Sequence, residues 1–200
     1  MRQHSMIDLE TGGTSPGAAI FSIGACVFDP MTQNPPTLTF YEEISHSSCM
    51  ELGLRFERET MDWWGTQRIA PPNGTTPIKQ ALEKFILWLS NVPGKTNNLI
   101  TLHWANSPSF DIALLKHVLD RYNMHWPFPF YTERDVRTLK AIAFPNNDYQ
   151  LNNSHNALQD AINQATLVQH AYLALALSTP GDTPNDSRPR HHPPGIPEPA

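Results

Sequence analysis

The stretch MIDLETGG, residues 6–13, decides how the rest of the chain is read. An apolar pair, Met6-Ile7, runs straight into Asp8. Glu10 follows two residues later, and Thr11-Gly12-Gly13 signals a turn. Residues 3–9 read as a short strand. Side chains two apart on a strand share a face, so Asp8 and Glu10 point the same way at the strand's C-terminal end. Two bare carboxylates so placed repel unless a cation sits between them, and hard oxygen donors suit Mg2+ or Mn2+. Taken alone, Asp-x-Glu reads more simply as a charged strand end in solvent, because surface carboxylates are common.

The segments around it build an α/β domain. AAIFSIGACVF, 18–28, is nearly continuous apolar sequence and reads as a strand buried on both faces. DPMTQNPP, 29–36, is a loop by its prolines. TLTFYEEIS, 37–45, reads as a third strand that pairs back on the second as an antiparallel meander. ETMDWWGTQ, 59–67, reads as a short helix and PPNGTT, 71–76, as a loop. In PIKQALEKFILWLS, 77–90, Ile78, Ala81, Leu82, Phe85 and Leu89 recur at helical spacing, with Pro77 suited to the first turn.

NLITLHWAN, 98–106, reads as a strand. SFDIALLKHVLDRYN, 109–123, reads as a helix with Phe110, Leu114, Val118 and Tyr122 on one side. FYTERDVRTLKAIAF, 130–144, runs from strand into helix, with Asp135 at the helix start. The last helix spans about 156–177, with an apolar stripe of Leu158, Ile162, Ala165, Val168 and Tyr172. The order is three strands, then α, β, α, β, α, α, which implies a mixed central sheet with helices packed on it.

Composition bounds the function. The 200 residues fit one domain of ordinary size. From Ser178 the chain carries seven prolines and no apolar periodicity, so the domain is set at 1–177 and residues 178–200 are expected to be a disordered Pro-rich tail. Cys26 and Cys49 form no disulfide framework, no signal peptide is recognisable and no apolar run is long enough to span a bilayer. A reduced, cytoplasmic protein without membrane contact is expected. A net charge of −5 is wrong for a protein that holds nucleic acid by a broad basic patch. Two bound divalent ions would offset most of it.

Three more residues join the first two acids. Asp111 follows a predicted strand and falls in the first turn of a helix, where an Asp also suits the helix dipole. In HNALQD, 155–160, five residues of ideal helix turn through about 500°. His155 and Asp160 can therefore converge only if His155 lies in the loop or cap. Asp160 sits next to the apolar stripe, at its boundary or bound to something.

The series Asp8-x-Glu10, Asp111, His155-x4-Asp160, carried by DLETGG, NSPSFD and HNALQD, resembles the DEDDh 3′–5′ exonucleases of the DnaQ-like, ribonuclease H-like superfamily. IFSIGACVFDP, MDWW and RDVRTL are similar to its compact bacterial and phage branch, which includes mycobacterial exoribonuclease-like and exodeoxyribonuclease VIII-like proteins. The resemblance covers about residues 5–173. Where that family has a Gly before its second motif, this chain has Ser107-Pro108, which leaves the loop's shape open.

The resemblance implies a ribonuclease H-like fold and hydrolysis from the 3′ end of single-stranded nucleic acid or 3′ overhangs, RNA or DNA, with two Mg2+ or Mn2+ ions. It implies Asp8, Glu10 and Asp160 around one ion, Asp8 and Asp111 around the other, and His155 as general base, whose ordinary pKa suits proton transfer near neutral pH. It also leads us to expect a homodimer. The nucleoside site is expected at Thr11, Gly12, Asn106 and Phe110, because Gly permits close approach and aromatics stack on bases. Core packing is the simpler role for Phe110. Of Trp63 and Trp64, one is expected in the core and the other partly exposed.

Asp135 reads as a helix cap. His103, His117 and His125 read as structural, and His191-His192 as tail residues. Arg121, Arg134, Arg137 and Lys140 read as a solvated face that could touch phosphates. Two other classes remain open: a catalytically silent nucleic-acid-binding module on this fold, and a nucleotide phosphohydrolase.

Overall fold

The computed structural model describes residues 3–91, 102–147, 149–151 and 154–175. The expected tail, 178–200, lies outside them. Five strands, β1 (His4–Thr11), β2 (Ile20–Phe28), β3 (Leu38–Glu43), β4 (His103–Ala105) and β5 (Glu133–Asp135), form one mixed sheet in the order β3-β2-β1-β4-β5. The first three make an antiparallel meander, while β4 and β5 run parallel to β1. The parallel strands therefore all end on one edge of the sheet, where Asp8, Glu10 and the chain leading to Asp111 lie.

Three helices lie between β3 and β4, one more than the two read from sequence at 59–67 and 77–90: α1 (His46–Glu51), α2 (Arg58–Thr66) and α3 (Ile78–Ser90). Only six residues long, α1 has too few turns to show periodicity. The Ser45 hydroxyl accepts from Ser48 N at its start, and Cys49 is buried beneath it. All five stripe residues of α3 are buried, and Pro77 stands at its N-cap. Beyond β4 come α4 (Asp111–Arg121), a 3₁₀ turn (Phe130–Thr132), α5 (Val136–Ala143) and α6 (Ala157–Ala174). Strand β4 is shorter than expected; residues 98–101 of that expected strand lie outside the described residues.

The sheet separates two apolar layers. Ile7, Leu9, Ile23 and Ala25 pack with α3 and α4 residues such as Phe85, Leu115 and Val118. Met6, Cys26, Phe28 and Trp104 pack with Val136 of α5 and Ala161, Ala165 and Val168 of α6. The buried face of α6 includes Ala165 and Val168 of the expected stripe, with Ile162 and Tyr172 packed at its margin, but it is centred elsewhere. Leu158 and Ile162 are half-buried, whereas Ala157, Asp160, Ala161, Gln164, Ala165, Val168 and Ala171 are buried. Gly24 accounts for the difference. A Cβ there would lie 2.1 Å from the Ala157 carbonyl carbon, so the first turn of the helix rides directly on the backbone of β2. Among the described residues no helix is long and apolar enough to cross a membrane.

Candidate active site

A length match between α6 and β1 positions the acids. Four helical residues rise about 6 Å and two strand residues about 6.6 Å. Every fourth residue of α6 therefore meets every second residue of β1. The ring of Tyr172 contacts that of His4, Val168 shares a core cluster with Met6, Gln164 donates to Asp8, and Asp160 lies beside Glu10. The ladder is apolar and aromatic at one end and acidic at the other. Asp111 reaches the acidic end from the opposite layer, at the start of α4.

Each turn that delivers a site residue is closed by local hydrogen bonds. Phe110 N and Asp111 N both donate to Ser107 O, and Ala113 N donates to Pro108 O. Ser107-Pro108 thus makes a tight entry to α4 without a glycine, and Ser107 N lies 3.5 Å from Asp111 Oδ2. His155 stands just before the Asn156 N-cap of α6, in the left-handed region at φ 54°. Its N–H donates to Asp160 Oδ2 at 3.0 Å, while Ser154 N and Oγ donate to Oδ1 at 2.7 and 3.0 Å. The His155 ring stands edge-on to Trp63 and Trp64, with centroids 5.0 and 6.1 Å away.

The electrostatics are those of crowded like charges. Glu10, Asp111 and Asp160 are buried and Asp8 half-buried. Burial, then the charges of Asp160 and Asp111, push Glu10 up to about 8. Burial raises Asp111 to about 7, although backbone hydrogen bonds and the charge of Arg137 oppose it. Asp8 is held well above the carboxylate range by burial and by Asp111, Glu10 and Asp160, against the Gln164 hydrogen bond. Glu10, His155 and Asp160 each offer a ligand atom within 4.8 Å of the others'. The four carboxylates, crowded and mutually repelling oxygen donors, fit a divalent cation.

The structure brings all five signature residues to one edge of the sheet. It treats the expected nucleoside residues less uniformly. Gly12 lacks a Cβ to make room for Phe21, whose ring would otherwise lie 2.7 Å from it, and its N–H donates to Ala19 O. Thr11 O accepts from Trp64 Nε1 at 2.9 Å, and the Thr11 hydroxyl donates to Gly13 O. Phe110 packs half-buried on the larger core cluster, and Asn106 is half-buried between β4 and α4. Trp64 is 3% exposed and Trp63 41%, the division expected of adjacent tryptophans on a helix. Asp135 caps α5, accepting from Thr138 N at 2.6 Å. Sequence reading missed Gln164, whose amide looks like any polar helix residue until β1 is placed opposite it.

The sequence matches the Rv2179c-like family, a 3′–5′ exoribonuclease Rv2179c-like domain, over residues 3–172. The chain belongs to that family. It is a DEDDh 3′–5′ exonuclease and hence a hydrolase. An exodeoxyribonuclease of Enterobacteria phage T4 is 26% identical over 164 residues, covering 66% of this chain and 68% of that protein. Two solved structures share the fold at 16% identity. The nuclease domain of 3′hExo, a DEDDh family member bound to rAMP, has a TM-score of 0.54 and covers 86% of this chain and 91% of its own. Exonuclease X in complex with 5′ overhanging duplex DNA has a TM-score of 0.52, covering 87% and 93%. Pop2p of S. pombe, with Mg2+ and Mn2+ bound, has a TM-score of 0.52 at 13% identity, covering 84% and 82%. The exonuclease thus has a ribonuclease H-like α/β fold.

Proposed function

We propose that this exonuclease removes nucleotides one at a time from the 3′ end of single-stranded RNA or a 3′ overhang, with two divalent cations at the acidic end of β1. The observation that carries the reading is the convergence of Asp8, Glu10, Asp111 and Asp160, each of the first three held above its ordinary carboxylate range by burial, and Asp8 and Glu10 also by its neighbours' charge. Such a set cannot accept a phosphodiester without added positive charge. Asp8, Glu10 and Asp160 would hold one Mg2+ or Mn2+, and Asp8 with Asp111 a second. Bound there, the ions would supply positive charge for the phosphate, acidify the attacking water and stabilise charge on the departing 3′-oxygen.

The chain's own groups do the rest. His155 takes the proton of the attacking water on a ring nitrogen. Its left-handed backbone and its N–H bond to Asp160 tie the base to a ligand of the same site. Trp63 and Trp64 brace the ring edge-on. Arg137, exposed at the start of α5 and near enough for its charge to act on Asp111, would be available to a substrate phosphate.

RNA is favoured because the family is described as exoribonuclease; DNA is the second reading, favoured by the T4 relative. The test is matched 5′-labelled RNA and DNA oligonucleotides with Mg2+ or Mn2+. A ladder shortening from the 3′ end, lost with EDTA and in Asp8→Ala, is expected, with RNA the faster substrate. Binding without turnover would place the chain among silent binding modules. Hydrolysis of a nucleotide ester but not of an oligonucleotide would make it a phosphohydrolase.

A further inference from the structure

Gln164 is buried in the middle of α6, four residues after Asp160 and facing the same strand. Its Nε2 donates to Asp8 Oδ1 at 2.7 Å, while its Oε1 is buried with no hydrogen-bond partner. Its near neighbours on this face are Ala161, Ala165 and Val168. A buried amide with one half unpaired is a poor choice for packing: an apolar side chain of the same shape would remove the unpaired oxygen and lose only the bond to Asp8. The amide gains only the contact to Asp8.

The other ligand carboxylates are oriented differently. Asp160 has both oxygens held by the Ser154–His155 backbone and the Ser154 hydroxyl, and Asp111 lies beside its own turn at Ser107. Asp8 stands opposite Gly24 on β2, which offers it no side chain. Gln164 is the side chain that holds it.

We propose that Gln164 is a positioning residue for Asp8. It commits Oδ1 to the helix and fixes the carboxylate's rotamer, leaving Oδ2 for a divalent cation. This rests on the metal-dependent reading above and deepens it by naming the group that prepares the ligand shared by both ions. Groups that orient metal ligands in this way typically contribute 10- to 100-fold in metal affinity.

The test is Gln164→Met, which keeps the volume and removes both the hydrogen bond and the unpaired oxygen. In EDTA it should melt near the wild-type temperature, because loss of the bond to Asp8 is offset by removal of the unpaired oxygen. Mn2+ binding by calorimetry should weaken by about tenfold or more. Oligonucleotide hydrolysis should show reduced kcat at limiting Mn2+, little change in KM, and recovery at high Mn2+. A merely structural role would lower the melting temperature and show no such recovery. Wild-type Mn2+ affinity and kcat in Gln164→Met would overturn the proposal. Gln164→Leu gives the same reading if the Met variant does not fold. If wild type itself neither binds Mn2+ nor cleaves, the functional reading fails; if wild type does both and the variant matches it, only the role of Gln164 fails.

Discussion

At its N-terminal end β1 buries His4 and Ser5; at its C-terminal end it buries Glu10 and half-buries Asp8. The first pair is matched by neighbours on β4. Ser5 Oγ and His103 Nδ1 are 2.8 Å apart, and Trp104 Nε1 donates to His4 Nδ1 at 2.9 Å. The second pair meets Asp111 and Asp160, which carry the same charge. One strand thus shows two kinds of buried polarity. Burial with partners of complementary hydrogen bonding stabilises the fold, although His103 Nε2 remains buried without a partner. Burial with like charges works against the fold unless a ligand completes it, and that difference separates a site from a core.

The largest effect should come from exchanging the ends' roles in activity. Asp8→Ala or Asp160→Ala should reduce hydrolysis by more than about 10³-fold, as for carboxylates that act as part of a unit. Ser5→Ala, which strips His103 of its partner, should leave kcat unchanged wherever the protein is folded and cost about 1–3 kcal/mol in a denaturant melt. Comparable losses of activity in Ser5→Ala would break the comparison.

Next in size is Gly24→Ala. Its Cβ would strike the Ala157 backbone and lift the first turn of α6 from β2, separating Asp160 and Gln164 from Glu10 and Asp8. About 1–3 kcal/mol of destabilisation is expected, with a parallel loss of Mn2+ affinity measured by calorimetry.

The pH dependence of the EDTA-treated protein sharpens the contrast. Glu10 and Asp111 are raised to about 8 and about 7, so in the window from about 4 to 8 the folded state keeps protons that the unfolded chain has released. Stability should fall as pH rises through that window. His103 at the other end behaves oppositely. Burial pushes it down to about 4, so below about 6.5 the unfolded chain binds a proton that the folded state does not, and stability should fall as pH drops. Where the windows overlap two acids outweigh one imidazole, so melting curves should show stability falling as pH rises, with His103 softening the slope below about 6.5. Saturating Mg2+, by favouring ionised Glu10 and Asp111 in the folded state, should remove that fall and uncover the opposite dependence of His103. The smallest effect is Asp135→Ala, which removes the α5 cap, at about 1 kcal/mol.

Much of this was legible in the sequence, and unevenly. The period-two placement of Asp8 and Glu10, the helix-start position of Asp111 and the need for His155 to lie outside the helix all follow from strand and helix geometry, and the structure places these residues accordingly. The stripe of α3 was equally clear, because it packs against the sheet with ordinary large side chains. The face of α6 was legible only in part, for the opposite reason. A helix pressed onto Gly24 buries alanines and polar groups, so bulk is a poor guide to what faces inward. Gln164 was hidden with it: its partner lies 156 residues away, and nothing local marks it. Helix α1 is too short for periodicity, and nothing local shows that a side chain at Gly12 would meet Phe21.

The most direct measurement is a calorimetric Mn2+ titration of the EDTA-stripped exonuclease beside Asp8→Asn, repeated in buffers of different ionisation heat. The account predicts two ions per chain in wild type, proton release on binding as Glu10 and Asp111 give up their protons near neutral pH, and loss of at least one ion in Asp8→Asn. Unchanged Mn2+ binding in Asp8→Asn, or none in wild type at millimolar metal, would contradict the claim that the acidic end of β1 is a cation site.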